Sequence, residues 1–368
     1  MGTADGATSA TVRTLLRGHW YDAVAALLDE VLLPEPVDGL STGAATTPGP
    51  DLTQARELAE VARRVLDLDA EDFTAMSRRA DAPWAGRLAD CSFPALPRDP
   101  IRGALGSLVP LYELMLEVLQ IRAMRREPLQ VVVTAHLIGE YLIQLAWEST
   151  LGHGGDPLRL GEFVGDSRWG SDDPVCRHSS ALRSTARRAL HACSGDVSGY
   201  TTYLDRFHSR LGEAFGVCGL NFDVVGRGER PDVGEPCPNP CAFVTDLGRE
   251  RRRDLDARIR LAMLYIDAPI VALRHHAPVG HFFGVPSVAE ISEAWLRTWE
   301  KLSEPWPDGA NPVLAPTLQA GPSADEALPG LSALVSAVAG RPIGPGRVLR
   351  DIGDDVVRAL QVHQDVSA

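Results

Sequence analysis

His136 and Glu140 stand four residues apart in an apolar segment, 129–151, so on a helix they share one face. An imidazole and a carboxylate set among apolar neighbours are costly to bury unless they pair or face a pocket. As a pair they can hold and pass a proton, the carboxylate fixing the ring and the ring donating or accepting. A second group, Arg274, His275 and His276 with His281 behind it, closes the apolar stretch 261–273 shortly after Pro269. An imidazole at a helix end facing a cavity suits axial metal ligation. Each group also has a plain structural reading. Histidines near a helix C-terminus interact favourably with its dipole and last carbonyls, and His136 can serve an internal polar contact alone.

The elements that must position these residues are helices. Apolar residues at Leu15, Leu16, Trp20, Val24, Leu27, Leu28, Val31 and Leu32 predict an amphipathic helix over 12–33, which Pro34 and Pro36 end. A Gly, Thr, Ser and Pro-rich loop follows, then a helix over 51–66 and two shorter ones between 70 and 91. Long apolar helices are expected at 101–126 and 129–151, the second apolar almost all round and therefore central to a core. Further helices are expected at 179–193, 198–217, 249–276, 288–302, 324–339 and 347–364, with Pro269 a candidate kink. Strand-like alternation is confined to 222–225, and there is no internal repeat or sustained heptad. The expected fold is all-α, an irregular helical bundle with an N-terminal helical extension. The prolines of 93–100 suggest three regions: an N-terminal helical region 1–98, a helical core 99–303, and a Pro-rich loop with terminal helices, 304–368, packing on that core.

The chain has 368 residues, enough to enclose a cofactor pocket, and its 45% hydrophobic and 23% charged residues match ordinary globular proteins. A net charge of −13, with the basic run at 249–253 interrupted by Glu250 and followed by Asp254, argues against a nucleic-acid partner. No uninterrupted apolar run reaches membrane-helix length, and residues 1–9 carry no signal-peptide pattern, so no membrane association and a cytoplasmic location are the expectations. The six cysteines are scattered in the manner of reduced thiols. Cys237 and Cys241, with Cys218 upstream, are spaced more widely than a zinc C-x-x-C pair and lack an evident fourth ligand. Gly39-Leu40-Ser41-Thr42-Gly43 matches a nucleophile elbow in letters, yet no strand precedes it and no helix follows. Walker A, G-x-G-x-x-G, H-E-x-x-H, C-x-x-C and E-x-x-H patterns are missing from the chain.

The two histidine segments together carry a resemblance. Ala135-His136-Leu137-Ile138-Gly139-Glu140-Tyr141-Leu142 resembles the distal His-x-x-x-Glu helix of the tryptophan 2,3-dioxygenase family, and Arg274-His275, followed by Val279 and Gly284, resembles its proximal end. Between them, Tyr203-Leu204-Asp205-Arg206-Phe207 with Arg210 loosely resembles the family's segment for the substrate carboxylate. The resemblance spans residues 131–284. It lacks the threonine- and glycine-rich loop that closes over tryptophan, and the interval from the arginine segment to the proximal histidine is shorter. These departures point to a diverged branch near the haem-dependent tyrosine hydroxylases of antibiotic biosynthesis.

The resemblance implies a helical bundle enclosing a haem pocket. It implies non-covalent haem b, because no His-x-x-x-Cys or C-x-x-C-H pattern is present. His275 would be the iron ligand and His276 its alternative, with Arg274 beside the cofactor and Asp267 or a backbone carbonyl setting the ligand's basicity. His136 and Glu140 would be catalytic, while Tyr203, Arg206 and Arg210 would hold an aromatic amino acid. Oxygen or hydrogen peroxide would be the oxidant. An indole-ring-cleaving dioxygenase is the second enzymatic reading. From another class, a helical binding protein whose histidines only cap helices is the third. Residues 1–98 are expected to form a lid or a dimer contact, which leaves a homodimer open.

Overall fold

The computed structural model describes residues 2–32, 50–78, 80–92, 106–152, 154, 248–277, 284–307, 311–315 and 326–367, and no strand occurs among them. The fold is all-α, as the periodicity predicts. Its helices are α1 (Gly2–Arg17), α2 (Tyr21–Leu32), α3 (Pro50–Leu66), α4 (Phe73–Ser77), α5 (Pro83–Asp90), α6 (Val109–Met124), α7 (Pro128–Glu140) and α8 (Leu142–Leu151). After these come α9 (Arg249–Ile266), α10 (Pro269–Ala272), α11 (Val288–Leu302), α12 (Leu331–Ala339) and α13 (Val348–Ser367). The predicted helices at 179–193 and 198–217 and the short segment 222–225 lie outside the described residues.

The chain divides into two compact units, residues 1–91 with 346–368, and residues 92–345. In the first, the single helix expected over 12–33 is two. The chain turns at Gly18–Trp20, where His19 takes a φ of 56° and the amides of Gly18 and Trp20 both donate to the Leu15 carbonyl at 3.0 Å. A Cβ at Gly18 would stand 2.5 Å from the Trp20 ring, so any other residue there requires that ring to move. The core of this unit is the seam of α3 with α2 and α13. Small residues Ala55, Ala59 and Ala62 let Leu349, Ile352 and Val356 come close, and all six are buried. The Tyr21 hydroxyl donates to the Leu349 carbonyl at 2.9 Å, and the Trp84 indole donates to Asp355 at 2.8 Å. The expectation of one segment 304–368 packing on the core is therefore divided. α12 belongs with the core unit, whereas α13 lays its apolar stripe on α3.

In the second unit, α12 is buried at every residue and packs against α8, α9 and α6. Arg258 of α9 reaches the end of α12, donating to the carbonyl of Ala339 at 3.2 Å, and also donates to Ser149 Oγ at 3.1 Å. Its Nε pairs with Asp254 at 3.0 Å, and its side chain is 7% exposed. Glu148 of α8 caps α6, accepting from the Leu108 amide at 2.7 Å and from Ser107. The segment expected as one helix over 129–151 breaks at Tyr141, with φ −109° and ψ 7°. Two buried hydroxyls brace α7 ahead of the break: Tyr265 donates to the Ala135 carbonyl at 2.8 Å and Tyr112 to the Ile138 carbonyl at 2.7 Å. By length and composition Pro128–Leu151 could cross a membrane, with a mean hydropathy of 1.4, but 61% of that window is buried within the protein, as for a core helix.

Candidate functional site

The break at Tyr141 makes Glu140 the last residue of α7 and leaves His136 one turn before it, both on the same face. Glu140 Oε1 lies 2.7 Å from His136 Nε2, with the two side chains 26% and 14% exposed. α7 cannot turn away from this face freely, because Tyr112 and Tyr265 hold its carbonyls and the Tyr265 ring meets Gly139. Burial pushes both phenols well above their ordinary pKa, so they remain donors. Burial also raises the Tyr141 phenol, and the charge of Glu140 adds to the effect.

The third member of the group is placed by a second break. Pro269 has no amide hydrogen and forces Ala268 into an extended conformation, φ −83° and ψ 156°, so the helix predicted over 249–276 stops at Ile266. It restarts as α10 and tightens into a 3-10 turn at Leu273–His276 that packs on α7. Arg274, on that turn, hydrogen-bonds His136 Nε2 across 138 residues of sequence. A guanidinium only donates and a carboxylate only accepts, so Arg274 and Glu140 ask opposite things of the same ring nitrogen. His136 Nδ1 is buried and has no hydrogen-bond partner among the described residues.

The structure thus brings His136, Glu140 and Arg274 together. His275, next on the turn, is exposed, and Asp267 is exposed at the end of α9. Tyr203, Arg206, Arg210, the side chain of His276, Val279, and Cys218, Cys237 and Cys241 lie outside the described residues. Sequence reasoning placed Arg274 beside a cofactor; its observed partner is His136. The bracing roles of Tyr112 and Tyr265 have no signature beyond an aromatic residue in an apolar helix.

Among the described residues, no three His, Cys, Asp or Glu side chains are grouped so as to hold a bare metal ion. A haem asks less, since one histidine on the iron suffices and the porphyrin supplies the remaining equatorial donors. The exposed imidazole of His275 meets that requirement, and His136 Nδ1 is a buried polar atom that nothing in the described fold satisfies. A bound haem would draw on these two residues among those described. No family model, curated protein or solved structure matches this chain.

Proposed function

We propose that the protein is a histidine-ligated, haem-dependent oxygenase that hydroxylates an aromatic amino acid, tyrosine or a derivative, in secondary metabolism. The observation that carries this reading is the meeting of Arg274 with His136. The two segments that resemble the proximal and distal sides of the tryptophan 2,3-dioxygenase site are far apart in sequence and adjacent in the fold. Bound haem would supply the redox chemistry that inserts an oxygen atom from oxygen or hydrogen peroxide. The chain's own part is to bind, orient and hold protons. His275 is the iron ligand in this reading. His136 presents Nδ1 to the substrate's reacting end, held from behind by Glu140 and Arg274. Arg206 or Arg210, with Tyr203, takes the substrate carboxylate, a bidentate task suited to a guanidinium.

The test is the absorption spectrum of the haem-reconstituted full chain. A stoichiometric Soret band that moves on adding tyrosine supports the reading. A colourless protein from haem-supplemented cells overturns it in favour of a helical binding protein. His275→Ala should lose haem while His136→Ala keeps it and loses turnover; equal haem in wild type and His275→Ala removes the ligand assignment. Product mass separates hydroxylation, which adds one oxygen atom, from indole-ring cleavage, which adds two.

A further inference from the structure

We propose that Arg274 is a positioning residue that selects the tautomer of His136, and that it thereby favours a substrate presenting an oxygen acceptor over one presenting an N–H donor. The argument starts from a conflict at one atom. His136 Nε2 has two neighbours, Arg274 Nη1 and, at 2.7 Å, Glu140 Oε1. The first can only donate to it, and the second, as a carboxylate, can only accept from it. A single ring nitrogen cannot serve both, because it carries either a lone pair or a hydrogen. With Arg274 on Nε2 the ring hydrogen resides on Nδ1; with Glu140 on Nε2 the hydrogen is drawn to Nε2 and Nδ1 presents a lone pair.

The guanidinium decides between these states. A guanidinium has hydrogens to give and no lone pair to accept with. It is carried on a turn that packs on α7, which holds it against the ring, and Glu140 is then left facing the positive charge of Arg274. His136 accordingly presents a buried Nδ1–H donor with no partner among the described residues. A buried donor left in that state costs about 1–3 kcal/mol, which an arriving acceptor recovers. A phenol or phenolate oxygen accepts such a hydrogen bond, whereas an indole N–H is a donor only. Two donors facing each other repel, so Arg274 discriminates through His136 between the two substrate classes open to this site. It does so from the position directly before the candidate iron ligand, His275. This inference rests on the proposed function for the substrate class, but not for the tautomer.

The experiment is long-range 15N–1H correlation NMR of the imidazole rings in the full chain, with any bound haem kept as the diamagnetic ferrous carbonyl. In wild type, Nε2 of His136 should show the shift of an unprotonated ring nitrogen and Nδ1 that of a protonated one. Arg274→Met should reverse the pattern, and Arg274→Lys, whose ammonium can still donate to Nε2, should restore it. A purely structural role would not distinguish the two variants in this way. A protonated Nε2 in wild type, or a pattern unmoved by Arg274→Met, overturns the tautomer assignment whatever the haem content. In titrations, the affinity for tyrosine relative to tryptophan should fall by about tenfold or more in Arg274→Met. An unchanged ratio overturns the specificity role. If wild type binds neither amino acid while the tautomer is as stated, the functional reading fails and the positioning role stands.

Discussion

At the scale of single residues, a buried charge is tolerated where a helix end or another charge receives it. Arg258 is the clearest case. Burial lowers its pKa from the ordinary arginine value, Asp254 opposes that effect, and its hydrogens go to the last carbonyls of α12 and to Ser149. Those carbonyls are the negative end of a helix dipole, and a guanidinium is the donor best shaped to reach several acceptors at once. Arg258→Met should cost about 1.5–3 kcal/mol, the range for a hydrogen bond to a charged group, in a denaturant midpoint shift at unchanged slope. A shift within experimental error would mean that water replaces the guanidinium there. Gly330 makes a complementary prediction. Its φ is 94°, and an added Cβ would lie 2.5 Å from the Trp299 ring, so Gly330→Ala combines backbone strain with a clash at a buried helix start. It should lower the melting temperature more than Gly86→Ala, where nothing lies within 4 Å.

At the scale of elements, the candidate site is made by two interruptions of helices. The one at Ala268–Pro269 is legible in sequence, because proline dictates it. The one at Tyr141 is not, since the run 129–151 holds no proline and its one glycine, Gly139, does not by itself stop a helix, and the buried tyrosines that brace the preceding turn come from α6 and α9. Tyr112→Phe leaves a buried Ile138 carbonyl without its hydroxyl donor and should destabilise by about 1–3 kcal/mol. It should also raise amide exchange at 138–142, while an unaltered exchange pattern would place the cause of the break elsewhere. α11 carries a pH-dependent start. Ser287 accepts from the Glu290 amide at 3.2 Å, and Glu290 accepts from the Ser287 amide at 2.8 Å. The Ser287 amide, with the Ser287 hydroxyl beside it, donates to the Glu290 carboxylate and holds it below its ordinary pKa. A depressed folded pKa contributes stability that is present above the unfolded value and is lost as pH falls through the folded one. The first turn of α11 should therefore fray on acidification below the ordinary carboxylate range, and Glu290→Gln should remove that pH dependence. Equal amide exchange at 288–291 across the range would refute the assignment.

At the scale of the molecule, the chain starts and finishes in the same unit. The Leu349, Ile352 and Val356 stripe of α13 completes the core that α2 and α3 begin. Truncation after residue 345 should expose that core, so hydrogen exchange should rise through 21–32 and 50–66, with the central helix 331–339 retaining its protection. Protection kept in α2 and α3 would show that they form a core without α13.

Sequence by itself determined the helical class, the positions of most helices among the described residues, and the types of residue able to do chemistry, because periodicity and proline act locally. It also picked out His136, Glu140 and Arg274, since polar groups in apolar runs stand out one segment at a time. Only the tertiary structure decided that Arg274 lies on His136 rather than elsewhere, that α7 ends at Glu140, and that the last helix belongs with the first ones. Each of these depends on groups far apart along the chain competing for the same carbonyl, ring nitrogen or apolar face, and that competition is settled by packing.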